Sequence, residues 1–182
     1  FEYAMPLSLI SRLDRVCRMV KPALVIEFGS GVSTIAIAEA LRVSEGCLIS
    51  IDESMNWSEN TRRLLSDPAR VVFIWAPAIG GFDYTLLAKV FSPKDKPELV
   101  IVDGPSVASR FSEPALRLYS ELLSSQSICA IDDTDREQND KAASQLAARF
   151  SLRKVDYGDP IYIHHKYSML FPSDLSDGIL LA

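Results

Sequence analysis

Five short apolar runs recur along this 182-residue chain: ALVIEF (23–28), CLISID (47–52), VVFIWA (71–76), ELVIVD (98–103) and SICAID (127–132). Each is too brief for a helix and apolar at successive positions, which is how a strand covered on both faces reads. Between and after them lie helical stretches: STIAIAEALR (33–42), NWSENTRRLLS (56–66), DYTLLAKVF (83–91), SEPALRLYSELLS (112–124) and NDKAASQLAARF (139–150). Strand–helix alternation of this kind folds into an open parallel sheet with helices on both faces. A sixth helix is expected before the first strand, where Leu9, Leu13, Val16, Cys17 and Val20 recur at helical spacing behind Pro6 in a first-turn position. In SEPALRLYSELLS, Ser112 is placed as N-cap with Pro114 in the first turn.

The end of the chain breaks the alternation. SLRKVDY (151–157) and IYIHHKYSML (161–170) are extended runs separated only by Gly158-Asp159-Pro160. A parallel pair needs a long crossover, so these two must form a hairpin, and the last strand must be antiparallel. The expected fold is therefore a doubly wound, seven-stranded, mostly parallel sheet with an antiparallel last strand. No repeat, linker or low-complexity tract divides it. The expectation is one domain over 1–182, with an N-terminal helix at 1–20 and a core at 21–170.

Composition narrows the partners. A formal net charge of -5 argues against general affinity for nucleic acid or an anionic membrane surface. No apolar stretch reaches the roughly 18 residues of a membrane helix. Cys17, Cys47 and Cys129 are scattered and form no CxxC pair, which fits reduced thiols in a cytoplasmic protein. The sequence starts at Phe1, not Met, so residues upstream are expected. Homo-oligomerisation stays open.

In open α/β sheets, ligands bind beyond the carboxyl ends of the strands, where crossovers diverge to opposite faces. The first such end is VIEFGSGVST (25–34). Gly29 and Gly31 allow a sharp turn and close approach of a ligand, with Ser30, Ser33 and Thr34 nearby. The competing reading is a tight turn that binds nothing. The second strand ends in Asp52, 23 residues after Gly29, followed by Glu53. A carboxylate at about that spacing can accept hydrogen bonds from both ribose hydroxyls, or can cap the next helix. A dinucleotide site would want GxGxxG, but Thr34 stands at the third glycine position and Glu27 would repel a pyrophosphate. Glu27 suits the ammonium and sulfonium of S-adenosylmethionine better.

EFGSGVST, ISID, ELVIVDGP and ICAIDD, in this order and after successive strands, resemble the class I S-adenosylmethionine-dependent methyltransferases, across about residues 20 to 170. The antiparallel final hairpin agrees, so the resemblance implies a Rossmann-like methyltransferase fold. It further implies that Glu27, Gly29 and Gly31 line the methionine end of the cofactor, with Ser30 and Ser33 as contacts. Asp52 would hold the ribose with help from Glu53, and Trp75-Ala76 would lie where the adenine is wrapped. Trp75 reads equally as a core residue. Val32-Ser33 departs from the family's commoner further glycine.

Asp103 follows strand four, and Asp132 and Asp133 follow strand five, with Asp135 near. Carboxylates converging on one sheet edge repel unless a proton or cation lies among them. An oxygen-only set suits Mg²⁺. The arrangement resembles metal-dependent O-methyltransferases of the catechol and sugar-modifying types, in which a bound cation activates and orients an acceptor hydroxyl. Gly-Pro-Ser follows Asp103, however, without the catechol type's lysine. The plainer alternative is that these acids shape turns or cap helices.

Arg110 is read either as a holder of an anionic substrate group or as a solvent-exposed residue. GGFDY (80–84) is read as a lid, a substrate wall or a plain connection. His164 and His165 are expected inside the last strand on opposite faces, in structural roles. Phe1-Glu2-Tyr3 and the first helix are expected to cover the acceptor pocket. The leading expectation is methyl transfer to a small-molecule acceptor, at a hydroxyl oxygen, with Asp103 beside the reacting atoms. The alternative is a methyltransferase-like binding domain without catalysis.

Overall fold

The strands of the computed structural model follow the apolar runs closely. The structure describes residues 5–176 apart from 80, 92, 93, 95, 106, 107 and 163. Its main sheet comprises β1 (Leu24–Phe28), β2 (Cys47–Asp52), β3 (Val71–Trp75), β4 (Leu99–Val102), β5 (Ile128–Ile131), β6 (Leu152–Gly158) and β7 (Lys166–Pro172). The helices are α1 (Leu7–Val20), α2 (Val32–Leu41), α3 (Met55–Arg63), α4 (Tyr84–Val90), α5 (Glu113–Leu122) and α6 (Glu137–Phe150).

The strand order is β3–β2–β1–β4–β5–β7–β6. β1 pairs in parallel with β2 on one side and β4 on the other, and β4 pairs in parallel with β5. β7 runs antiparallel to both β5 and β6. The doubly wound, seven-stranded sheet with an antiparallel last strand is thus the observed fold.

Alternate residues of the central strands feed two cores. Ile26, Phe28, Val100, Val102, Cys129 and Ile131 pack beneath α4, α5 and α6 through Leu87, Leu118, Tyr119 and Leu146. Val25, Leu48, Leu99, Ile101, Ala130 and Met169 pack beneath α1 and α2 through Leu9, Leu13, Val16, Ile37 and Leu41. Each such fully buried side chain contributes about 1.5–3 kcal/mol, enough to override weak local propensities. The pattern puts the switch point between β1 and β4, whose crossovers diverge.

Three local expectations need correction. Pro6 is the extended N-cap of α1, one residue before the first turn. The final strand begins at Lys166, not at Ile161. Residues 159–162 turn instead, because the Asp159 carboxylate accepts the amides of Ile161 (2.7 Å) and Tyr162 (2.8 Å). His164 and His165 therefore lie in the connection before β7, His164 exposed and His165 half-buried. The sequence reading also missed a two-residue hairpin, Pro77–Ala78 with Gly81–Phe82. Ser112 does occupy the N-cap of α5, although its side chain makes no capping bond.

Cys17 and Cys129 are buried, and burial pushes both thiols up to about 12, so they are inert protonated groups. Among the described residues, no helix is long and apolar enough to cross a membrane. Phe1-Glu2-Tyr3, Gly80 and parts of the 92–97 turn lie outside the described residues.

Candidate active site

The glycine turn is built from behind by a polar knot. Glu27 lies in mid-β1, opposite Ser50 of β2, with no exposed surface. Its carboxylate accepts hydrogen bonds from Ser33 Oγ (2.5 Å), Thr34 Oγ1 (2.6 Å) and Ser50 Oγ (3.0 Å). Burial pushes Glu27 up to about 7, against the pull of the three hydroxyls. Thr34 also accepts the Gly31 amide at 2.8 Å. That double use explains threonine where a dinucleotide turn has glycine. Ser30 Oγ bonds Ser50 Oγ at 2.8 Å. Glu27, Ser30 and Ser33 thus turn their polar atoms inward. The amides of Gly29, Ser30 and Gly31 are likewise taken within the protein, by Ile51 O, Asp52 Oδ2 and Thr34 Oγ1.

Gly29 is required by close approach. Its φ is +103°, and a Cβ there would meet the Gly104 amide nitrogen at 2.8 Å. Gly104, just past β4, meets Gly29 Cα equally closely from its own side. The Asp103 and Gly104 amides both donate to Phe28 O, at 3.0 and 2.6 Å. The loops after β1 and β4 are therefore one unit, without side chains between them.

The acid closing β2 meets the turn. Asp52 Oδ2 accepts the Ser30 amide at 2.8 Å, and Oδ1 accepts the Ser54 amide at 2.7 Å. Asp52 is buried, and burial raises its pKa against these two bonds. Glu53 beside it is half-buried, and burial raises its carboxyl too. Two indoles flank this segment. Trp75 is 51 % exposed and donates Nε1–H to Glu53 O at 3.1 Å. Trp57, in the first turn of α3, is 50 % exposed and donates Nε1–H to Ser30 O. Trp75 is thus at the surface and not in the core, whereas Ala76 is fully buried. Sequence reasoning missed Trp57; its signal was an aromatic five residues past Asp52, one helical turn away.

At the ends of β4 and β5 the acids do converge, but with cations among them. Burial, then the charge of Asp132, raises Asp103 well above the usual carboxyl range. Asp132, 3 % exposed, pairs through Oδ1 with His165 Nε2 at 2.8 Å. That bond, before any other cause, raises the imidazole pKa. Asp133 has a left-handed backbone (φ +57°) and accepts Arg110 Nη1 (3.2 Å) and Arg136 Nη1 (3.1 Å) on one oxygen.

Arg110 is neither a substrate clamp nor a surface residue. It is 4 % exposed, and it donates Nε–H to Pro105 O (2.9 Å) and Nη1–H to Asp132 O (3.3 Å). Its own carbonyl accepts the Tyr119 hydroxyl at 3.0 Å. Asn139 Nδ2 ties the Asp132 and Asp133 carbonyls, at 3.3 and 3.0 Å. In the GGFDY segment, Asp83 caps α4 by accepting the Leu86 amide at 2.9 Å, and Tyr84 is buried. Asp83 and Tyr84 thus anchor α4.

Among the described residues, Asp132, Asp133 and His165 bring one ligand atom each within 4.8 Å of one another. Asp103, expected in a cation's shell, is not in that group. The donors are also spoken for: Asp132 by His165, and Asp133 by two guanidinium groups. Asp133 faces two arginines and Asp132 an imidazole, so the cluster is already matched by protein groups where a dication would have to sit. The residues as arranged do not fit Mg²⁺, and no step is drawn through one.

No known family's sequence pattern matches this chain, and no curated protein matches it in sequence. Solved structures do match it in fold. One is an O-methyltransferase of Bacillus cereus in complex with S-adenosylhomocysteine, 12 % identical, with a TM-score of 0.70 over 93 % of this chain and 83 % of that one. The S-adenosylhomocysteine-bound methyltransferase of Podospora anserina is 16 % identical, TM-score 0.68, over 95 % and 81 %. The O-methyltransferase TomG of Streptomyces achromogenes, involved in tomaymycin synthesis and solved with S-adenosylmethionine, is 17 % identical, TM-score 0.67, over 94 % and 82 %. The chain therefore has the Rossmann-like fold of class I S-adenosylmethionine-dependent methyltransferases. Within that class, the fold is similar to that of the O-methyltransferases named above.

Proposed function

We propose that this protein is an S-adenosylmethionine-dependent methyltransferase that transfers a methyl group to a small-molecule acceptor, at a hydroxyl oxygen. One observation carries the reading: the Ser30 amide donates to Asp52, so the glycine turn and the acid closing β2 frame one groove at the switch point. Cofactor complexes of similarly folded proteins support it.

In this reading Gly29, Ser30 and Gly31 line the methionine end of the cofactor. Asp52 and Glu53 offer the remaining lone pairs of their carboxylates to the ribose, and Trp75 and Trp57 wall the adenine. Glu27 and Ser33 act from behind, by fixing the turn. Ala76 acts through its amide, which donates to Asp52 O at 3.1 Å. When bound, the cofactor supplies an electrophilic methyl group. Asp103 lies past β4, beside the turn, and in its ionised form takes the proton that the acceptor hydroxyl gives up on methylation, a role for which its raised pKa suits it. Catalysis then rests on alignment and on fixed dipoles.

The scattered thiols support a reducing, cytoplasmic setting, and the net charge of -5 favours a small acceptor over nucleic acid. The absence of a linker supports one domain over 1–182.

Calorimetric titration with S-adenosylhomocysteine tests this reading. Saturable one-to-one binding, weakened in Glu53→Gln, is expected. Absence of heat would remove the cofactor and with it the function. Binding without turnover across hydroxylated acceptors would favour the non-catalytic binding domain.

A further inference from the structure

The acid cluster past β4 and β5 carries its own cations, and the most enclosed of them is Arg110. A surface arginine drifting near an acid would bridge it loosely. Arg110 is instead fixed by Pro105 O, Asp132 O and Asp133 Oδ2, at 2.9, 3.3 and 3.2 Å. It is also positioned by its own carbonyl, which accepts the Tyr119 hydroxyl. The guanidinium thus reaches from the loop after β4 to the loop after β5. A bridging metal ion would join the same two loops. His165 and Arg136 complete the compensation at 2.8 and 3.1 Å.

We infer that Arg110 takes the place of a divalent cation in this site, holding the strand-four and strand-five loops together so that the chain neither binds nor needs a metal there. The part of the inference concerning need rests on the methyltransferase reading. The part concerning binding does not. Guanidinium is a suitable substitute because its charge is permanent and its planar fork spans two acceptors at once.

The experiment uses the whole chain, stripped with EDTA and exchanged, and follows uptake of Mn²⁺ by loss of the free-ion paramagnetic resonance signal. Wild type is expected to take up no Mn²⁺ that Asp132→Asn or Asp133→Asn abolishes. Arg110→Met, once circular dichroism shows it folded, should acquire a single Mn²⁺ per chain, lost again when Asp133→Asn is added. Stoichiometric uptake by wild type that Asp133→Asn removes would overturn the inference. So would a folded Arg110→Met that stays empty. If Arg110→Met does not fold, Arg110→Lys keeps the charge but not the fork, and the wild-type titration alone still decides.

Binding of S-adenosylhomocysteine, measured with and without EDTA, is expected to be unchanged. A chain that binds no S-adenosylhomocysteine in either condition would sink the methyltransferase reading and leave the Mn²⁺ result standing.

Discussion

The two sides of the candidate site hold their acids by opposite means. Around β1 and β2, Glu27 is held by three hydroxyls and Asp52 by two backbone amides, all neutral donors. Around β4 and β5, Asp133 is held by two guanidinium groups and Asp132 by an imidazole. Neutral donors let a buried carboxyl stay protonated toward neutral pH, as at Glu27. Cations keep carboxylates ionised and knit loops together, but the loss of one leaves a stranded charge. The β1–β2 side is thus tuned by pH, and the β4–β5 side by charge balance.

The largest test of that contrast is Arg110→Met, expected to cost about 3–5 kcal/mol in urea denaturation because it removes the buried donor of Pro105 O and Asp132 O and leaves Asp133 to Arg136 alone. A cost under about 1 kcal/mol would mean that charge does not organise the β4–β5 side. Gly29→Ala should follow at about 3 kcal/mol, through strain at φ +103° and collision with the Gly104 backbone.

Glu27→Gln tests the neutral side. The unfolded glutamate ionises above its ordinary 4.5, whereas the folded one stays protonated until about 7. The stabilising effect of the neutral form is therefore complete below 4.5 and lost as pH rises to about 7, on the order of 3 kcal/mol in all. The glutamine variant should flatten that slope. Persistence of the full slope would assign it elsewhere.

His165→Gln should act more weakly, by about 1 kcal/mol, because the imidazole side of the pair still reaches solvent. Its folded pKa is raised above the ordinary 6.5, so its contribution is present below that value and fades as pH climbs past it. A thermal-melting series across pH reads this directly. The smallest effect is Gly31→Ala, expected within about 1 kcal/mol. Gly31 has an extended φ of 170°, and its nearest obstacle is the Trp57 indole at 3.6 Å.

Much of this architecture could be read from the chain. Strands buried on both faces announce themselves as unbroken apolar runs, so β1 to β5 were placed within a residue or so. The hairpin end was legible because its connection is too short for a crossover. The start of β7 was not: Ile161 and Tyr162 look like strand residues, but Asp159 captures their amides into a turn. Site residues were legible by position more than by orientation. Glu27, Ser30 and Ser33 sit where expected, yet their polar atoms point inward, because nearby hydroxyls on α2 and β2 satisfy them there. Arg110 was the least legible, since nothing local tells an arginine in a loop that a tyrosine-held carbonyl and two distant acids will enclose it. Only the pairing of β4 with β5 brings those groups together.

Gly29 and Gly104 touch through bare backbone. Any redesign that swaps the loop after β4 for a longer one, to admit a bulkier acceptor, must keep a residue without Cβ at that contact. Otherwise the graft would push on the cofactor turn as it widened the pocket. In the methyltransferase reading, specificity and cofactor affinity should therefore drift together when that seam is disturbed, and independently when changes begin beyond Pro105.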